Sequence, residues 1–588
     1  MAKIVTENFK VETTTELYKS FLNDNETAVS QFQIDLNSYN SNEGVGLSST
    51  VVDSITDLVR VGIDQYLPEN TYYVFASKID KENDINNSQF EKREFQRRVI
   101  FGKKVSTASI KYMFGRIPWA QNVLYDAFDD RADIELLNMF VTVPDGEQNE
   151  GPYKVFKCIA NGNRAISTVK PSVNSLDPTI EVTLGDGYVW KYMFSIPVSE
   201  YAEYSTLNSL PYVPDVSVLD NANEDISNIL IEESITGLFS GYKPGTMRLQ
   251  SIVSAAGANR YELEFITGES SPRSGRAAYT NMYIRFDTDG KVYNILDSRV
   301  ISAGQNNKTL YITIESTVNP RDLYEVSIDD AEIVPKIAIT PSNDATSGIN
   351  AVAYARTDAN GTVDEVIFSN KGDGYKYATA KIMLPPRLAL DYLDPEDVVR
   401  FRVVVSPKGG HGADPISELY MSRLAITTNF FSEVGINIPD NGAYTTVGLI
   451  KNPQFVDGIY SNTIDNRMRI VVDGTPIATV GQLLVEVQPN QTVYAKIHQV
   501  TVENGSSVLY LVDYTGDYNS TFTEGATVQV KDTLLADEFE NVTINNNSGS
   551  VIQGKYVPFT GDILHFVDFG AIERLPDRKE KIKFVFDF

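Results

Sequence analysis

Apolar and polar residues alternate along most of this chain in short runs, punctuated by Gly, Asn, Asp and Pro. A period of two is the signature of a strand with one face buried, so the pattern predicts a mostly β protein with few helices. In NMYIRFDTDGKVYNIL (281–296) and AYARTDANGTVDEVIF (353–368) two such runs flank Asp-Gly or Asn-Gly. Gly and Asn accept the positive φ that tight turns demand, so each stretch predicts a hairpin. Runs of this kind fill residues 226–394. A second such block covers 461–555, passing through RMRIVVDGTPIATV and SSVLYLVDYTGDYN and closing in the polar NVTINNNSGS loop. The two blocks read as β-rich domains inserted into a scaffold made of 1–225, 395–460 and 556–588. The predicted class is therefore multidomain and mostly β with a few helices (α+β), built of antiparallel sheets or sandwiches. The tetrapeptide GDGY occurs at 185–188 and again at 372–375, but the flanks differ and no internal repeat is inferred.

Four stretches carry helical spacing instead. TTTELYKSFLND offers Thr13 or Thr14 as a cap and sets Leu17 with Phe21. STVVDSITDLVRVGIDQYL puts Val51, Ile55, Leu58 and Val59 on one stripe. IPWAQNVLYDAFDD predicts a third helix, with Pro118 in the first turn and Leu124 paired with Phe128. ADPISELYMSRL predicts a fourth, with Asp414 as cap, Pro415 in the first turn and Leu419 facing inward.

The most pronounced alternation is in LGDGYVWKYMFSIP (184–197). After the turn at Gly185, Asp186 and Gly187, the residues Tyr188, Trp190, Tyr192, Phe194 and Ile196 share one face, and Pro197 stops the ladder. A phosphate-binding loop hands over to a helix, whereas this one hands over to a strand. Burying its apolar face contributes roughly 1.5 to 3 kcal/mol per side chain, so the motif is read as folding the chain, with no ligand assigned to it. In KIKFVFDF the residues Ile582, Phe584, Phe586 and Phe588 alternate to the last position, and a terminus that apolar is expected in a sheet or against a partner.

Composition narrows the chemistry. At 588 residues several packed units are expected. The 78 acidic against 51 basic residues give a formal charge of −27, which repels phosphate backbones. The basic clusters EKREFQRR (91–98) and DRKEKIK (577–583) are interleaved with acids or apolar residues, the pattern of a solvated face, so nucleic acid is excluded as a partner. No run reaches the roughly 18 apolar residues that span a bilayer, and no signal peptide or acylation site opens the sequence, so a soluble chain folding in the cytoplasm is expected. Cys158, the single cysteine, forms no internal disulfide and reads as a small buried hydrophobe. His411, His498 and His565 share no metal-ligand spacing and read as surface or strand residues.

The glycines of PKGGHGADP (407–415) place Lys408 before them, against the order of a phosphate loop, and read as a flexible lead into the helix capped by Asp414. FDTDG (286–290) and YDAFDD (125–130) lack the alternating acids and closing Glu of a calcium loop, so turn and helix-surface carboxylates are expected there. Among 78 acids no glycosidase pair can be singled out. No catalytic, cofactor-binding or metal residue is assigned, and no small-molecule substrate.

GDGYVWKYMFSIP followed by PYVP (211–214) resembles the baseplate wedge protein, gene product eight, of T-even-like contractile-tailed bacteriophages, with Met193 where the family usually has Leu. The resemblance continues in colinear patches. IVTENFKVETTTELYKSF is similar to the family's opening strand and helix, NTYYVFASK to the next strand, and EGPYKVFKCIANGN to the strand before the GDG turn. AITTNFFSEVGINIPDNGAYTTVGLIKNP resembles a late strand pair, most clearly at Gly448, Leu449, Ile450, Asn452 and Pro453, and TGDILHFVDFGAIERLPDRKEKIKFVFDF resembles the family's tail. These patches cover about half of a chain longer than the family protein, and the excess falls in 23–65, 226–394 and 461–555.

The resemblance implies a non-enzymatic virion part of the tail baseplate. Such a part is mostly β, forms a homodimer, assembles with other wedge proteins in the host cytoplasm and moves as a rigid body on tail contraction. The competing reading is a host-binding adhesin or tail-fibre module whose inserted β domains present recognition loops. A glycan-cleaving enzyme is a weaker competitor.

Overall fold

The computed structural model describes Val11 and Thr14 and then most of residues 71–587; the longest segments left out are 78–92, 173–180, 342–349, 431–443, 513–520 and 569–579. Val11 and Thr14 are both helical and buried, so Thr14 lies within a helix and does not cap it, which corrects that alternative; the rest of the first predicted helix, the second predicted helix and the stretch 23–65 lie outside the described residues. The protein is mostly β, with multiple antiparallel sheets and multiple domains. By compactness the described chain divides into a unit of residues 114–421 and a unit of residues 71–113 with 422–587.

In the first unit the aromatic ribbon forms the strand Tyr188–Ile196, third in a four-stranded sheet ordered Phe140–Pro144, Tyr153–Asn161, Tyr188–Ile196, Glu181–Thr183. All five ribbon side chains are buried. Tyr188 stacks on Trp190 at 5.5 Å, Tyr125 meets Trp190 edge-on at 5.6 Å, and Phe194 packs against Phe114 and Tyr212. The opposite face is covered too, since Lys191 and Met193 are buried.

The turn that starts this strand is fixed by its own residues. Gly187 has φ +83°, and Gly162 has φ +58° so close by that a Cβ there would sit 2.9 Å from the Asp186 carbonyl oxygen. The Asp186 carboxylate accepts hydrogen bonds from the backbone N–H groups of Thr168 (2.7 Å), Val169 (2.9 Å) and Tyr188 (3.2 Å). Burial raises the Asp186 pKa, but these donors outweigh it and hold the carboxyl below its usual range. The Gly-Asp-Gly turn therefore folds the strand, as its sequence suggests.

Residues 247–382 build a nine-stranded antiparallel sheet. Both predicted hairpins form in it: Met282–Phe286 pairs with Val292–Ser302, and Val352–Thr357 with Val363–Asn370. Ile226–Ser234 pairs with Val399–Val405. The expected helix at 117–130 is absent, which corrects the prediction. Asn122 sits at φ +65°, Pro118 and Val123 make isolated bridges to Thr142 and Ser167, and the Tyr125 N–H donates to the Tyr188 hydroxyl. These tertiary pairings hold the backbone extended against its helical spacing, leaving Leu124 exposed and Phe128 buried. Pro415–Glu418 is helical, capped by Asp414 with Leu419 buried as expected, and is cut to one turn because Tyr420 adopts φ +50°.

In the second unit a five-stranded sheet runs Thr463–Asp465, Val99–Lys104, Tyr72–Ser77, Thr446–Lys451, Asp562–Asp568. The terminal strand Glu580–Asp587 is zipped along the whole of Arg423–Phe430, which pairs on its other side with residues 110–113. Phe584 is buried, and Ile582 and Phe586 are half-buried; Phe588 lies outside the described residues. The two late strands Arg423–Phe430 and Thr446–Lys451 sit in different sheets and do not pair with each other.

Residues 468–552 form a seven-stranded sheet. Its strand Met468–Val472 pairs with Ser506–Val512 and Val551–Ile552, so the run after Asp473-Gly474 does not fold back as a hairpin. Buried Arg467 ties this sheet to the five-stranded one. Its guanidinium makes paired bonds to Asp465 (2.9 and 2.8 Å) and lies over Phe101 (4.9 Å) and Tyr510 (4.4 Å).

Both tryptophans, Trp119 and Trp190, belong to the first unit, so their fluorescence reports its unfolding. Trp190→Ala is expected to cost about 3 to 5 kcal/mol in urea titrations followed this way, and Trp190→Phe markedly less. Equal losses would mean that the ribbon is not packed as described.

Candidate functional site: a buried Lys, His and Glu cluster

The densest buried chemistry in the first unit is centred on Lys157, in the middle of the strand Tyr153–Asn161. Val155 to Ile159 is a run buried on both faces, so the lysine has no route to water. Its side chain is 0 % exposed, and an ammonium there requires partners on every N–H. It has them. Nζ donates to Glu418 Oε2 at 2.7 Å and to His411 Nδ1 at 3.0 Å, and it lies 4.0 Å from the centre of the Phe128 ring.

Glu418 is delivered by the single helical turn after the glycine-rich loop. Asp414 caps that turn through the Ser417 N–H, and the other Glu418 oxygen accepts from the backbone N–H groups of Gly412 (2.8 Å) and Asp414 (3.3 Å). Burial raises the Glu418 pKa; the Lys157 charge beside it more than reverses this and holds it at about 2. Burial lowers the Lys157 pKa and Glu418 opposes that fall, and the donors on both Glu418 oxygens fix the pair as ammonium and carboxylate.

The loop is not the flexible lead expected from its composition. Gly409, Gly410 and Gly412 all have positive φ, and a Cβ on Gly410 would stand 2.2 Å from the Asn223 carbonyl oxygen. This close packing places His411 in the interior, which corrects its reading as a surface or strand residue. Burial, then the neighbouring Lys157 charge, pulls the His411 pKa down to about 3. The ring stands edge-on to Phe128 at 4.8 Å, and Nε2 is 2.6 Å from the Ser227 hydroxyl.

Ser227, His411 and Glu418 thus have the membership of a hydrolytic triad with the wrong polarity. A lysine that donates to Nδ1 forces the imidazole proton onto Nε2, which then donates to Ser227 Oγ. A general base needs a free Nε2 lone pair to take the serine proton and an Nδ1–H on the carboxylate. Ser227 is also buried, out of reach of any substrate. The chemistry available to this cluster is mutual restraint of four chain segments. A second tier surrounds it: Lys371 bridges Glu181 (2.5 Å) and the Ser227 carbonyl (3.1 Å), Lys191 is buried, and burial pushes Asp225 up to about 6. Arg402 adds a paired contact to Asp129 at 2.6 and 2.7 Å.

The other residues weighed from the sequence are not brought to this cluster. His498 is a buried strand residue near Phe101, and His565 an exposed strand residue whose ring meets Phe584. Cys158 is buried as expected, and burial raises its thiol pKa. In FDTDG, Asp287 pairs with Arg285, and Asp289 accepts from the Lys291 N–H. In YDAFDD, Asp126 accepts from the Asn138 N–H and Asp129 pairs with Arg402; these are loop carboxylates, not helix-surface ones. Among the described residues no three His, Cys, Asp or Glu are grouped to hold a metal ion. Among them, too, no helix is long and apolar enough to cross a membrane. The sequence reading missed Lys157, Glu418 and Ser227. The signal for the first was a lysine inside the apolar run VFKCI, where it requires a counter-ion from elsewhere in the fold. No protein-family model and no curated protein matches the chain.

Removing one partner leaves a buried charge uncompensated, so Lys157→Met and Glu418→Gln are each expected to cost about 3 to 5 kcal/mol of urea stability, and the double variant clearly less than their sum. Additive losses would show that the two are not a buried ion pair.

His411, whose pKa is depressed from 6.5 to about 3, contributes stability that is complete above pH 6.5 and lost as pH falls through this window. Glu418 adds to the acid loss below pH 4.5. Asp225 acts oppositely: raised from 3.8 to about 6, it destabilises as pH rises through that range. His411→Gln therefore flattens the loss below pH 6.5 relative to the unaltered protein. An unchanged slope would place His411 in water.

Proposed function

We propose that this chain is a structural component of the tail baseplate wedge of a contractile-tailed phage, assembling as a dimer with other wedge proteins. The observation that carries this reading is the ribbon Tyr188–Ile196, the stretch most similar to the wedge family, whose aromatic rings all serve the core of a rigid sheet. A part that transmits force on contraction has to keep its modules intact. Support comes from the way the sheets are tied together. Lys157 with Glu418 and Arg467 with Asp465 are ion pairs with a buried cation, and breaking one costs far more than shifting a surface contact. A body so restrained responds to load by moving whole at its interfaces. The terminal strand, zipped to Arg423–Phe430, supports the same reading, because it ties the chain end into a sheet.

Native mass spectrometry of the purified chain, alone and mixed with the products of adjacent genes, tests this. A dimer that enters a larger complex of defined stoichiometry is the expected result. A chain that remains monomeric and joins no neighbour would refute it.

A further inference from the structure

The seven-stranded sheet presents an apolar face at one end that its own core does not use. Two loops lie side by side there: residues 477–482, leading into Leu483–Gln488, and residues 532–539, between Thr527–Lys531 and Glu540–Thr543. Their adjacency is fixed by register, with Leu483 opposite Lys531 and Glu540 opposite Val530, and by a 2.8 Å bond from Gln482 Nε2 to Asp532 Oδ1.

From these loops Ile477 (77 % exposed), Val480 (51 %), Leu535 (91 %) and Phe539 (48 %) stand in solvent. Single exposed apolar residues are ordinary, but four on two tied loops form a patch of the kind that marks an interaction site. The charge carried by the loops themselves is acidic. The second loop and the residue that follows it carry Asp532, Asp537, Glu538 and Glu540, and neither loop has a lysine or arginine. Two cations flank the loops at the strand ends: Lys531, laid over the Phe539 ring at 5.2 Å, and Lys496, opposite Leu483 in the ladder.

We infer that this loop end is a docking site for a protein surface with an apolar centre and a lysine- or arginine-rich rim. Charge decides the occupant. A second copy would bring the same carboxylates face to face, and an anionic lipid surface would be repelled likewise, whereas basic side chains complete both the apolar contact and the electrostatic one. Leu535 and Phe539 are the anchors, since large apolar groups at the centre of a contact carry most of its energy. This inference rests on the proposed function only in expecting the partner among neighbouring tail proteins.

The test mixes the full-length chain with each purified product of the adjacent genes and measures complex formation by native mass spectrometry and interferometry at low and high salt. Leu535→Ser/Phe539→Ser is expected to weaken one complex roughly 30-fold. Asp537→Lys/Glu538→Lys is expected to weaken the same complex and blunt its salt dependence. All four positions are exposed, so circular dichroism and thermal unfolding stay unchanged. A complex that forms equally well with both variants overturns the docking site and leaves the wedge assignment standing. If no neighbour binds the unaltered chain, both are overturned. Self-association lost in Leu535→Ser/Phe539→Ser, with no binding of neighbours through this face, also overturns the inference by making a second copy the occupant.

Discussion

An ammonium ion inside a β-sheet core is the constraint around which the first unit is arranged. Lys157 is enclosed by a strand whose neighbours are buried on both faces, and an unpaired charge there would cost several kcal/mol. Every feature around it follows from that need. The Gly409–Gly412 loop folds to a shape only glycines adopt so that His411 and the Gly412 N–H point inward. The Asp414 cap starts a helical turn only long enough to deliver Glu418, and Phe128 closes the remaining side. The cluster joins residues 128, 157, 227, 411 and 418, which are far apart in sequence, so that each segment is held by all the others.

The second unit solves a similar problem with a different cation. Arg467 is planar and carries its charge between the Phe101 and Tyr510 rings while paired to Asp465. In both units a sheet-to-sheet junction depends on a buried cation with an aromatic face and a carboxylate. Such junctions do little for net stability compared with apolar packing, yet they tolerate few alternative geometries. That favours a single arrangement of modules.

How far the sequence alone foretold this depends on whether a feature is local. The ribbon at Tyr188–Ile196, the Asp-Gly and Asn-Gly hairpins of 281–296 and 353–368, and the Asp414 cap were legible, because period-two alternation and turn chemistry act within a few residues. The segment 117–130 was misread. Its helical spacing is real, but Tyr188, Thr142 and Ser167 offer pairings that a helix would forfeit. The pairing of Met468–Val472 was not legible, because its partner comes from residues 506–512, beyond the reach of any local pattern. His411 was placed on the surface because glycines around it suggest freedom, whereas the close approach to Asn223 and Val218 removes it. Of the buried cluster only the oddity of Lys157 in VFKCI could be read; Glu418 and Ser227 became its neighbours through folding.

The restraint exerted by this cluster turns on the polarity of the His411 ring, since a proton on the other nitrogen would face the Lys157 ammonium and break their bond. Long-range proton–nitrogen NMR on protein labelled in histidine nitrogen reads this directly. The expected result is a neutral His411 with its proton on Nε2 and a bare Nδ1, unchanged between about pH 4 and about pH 8. A proton on Nδ1, or titration near the ordinary histidine value, would contradict it.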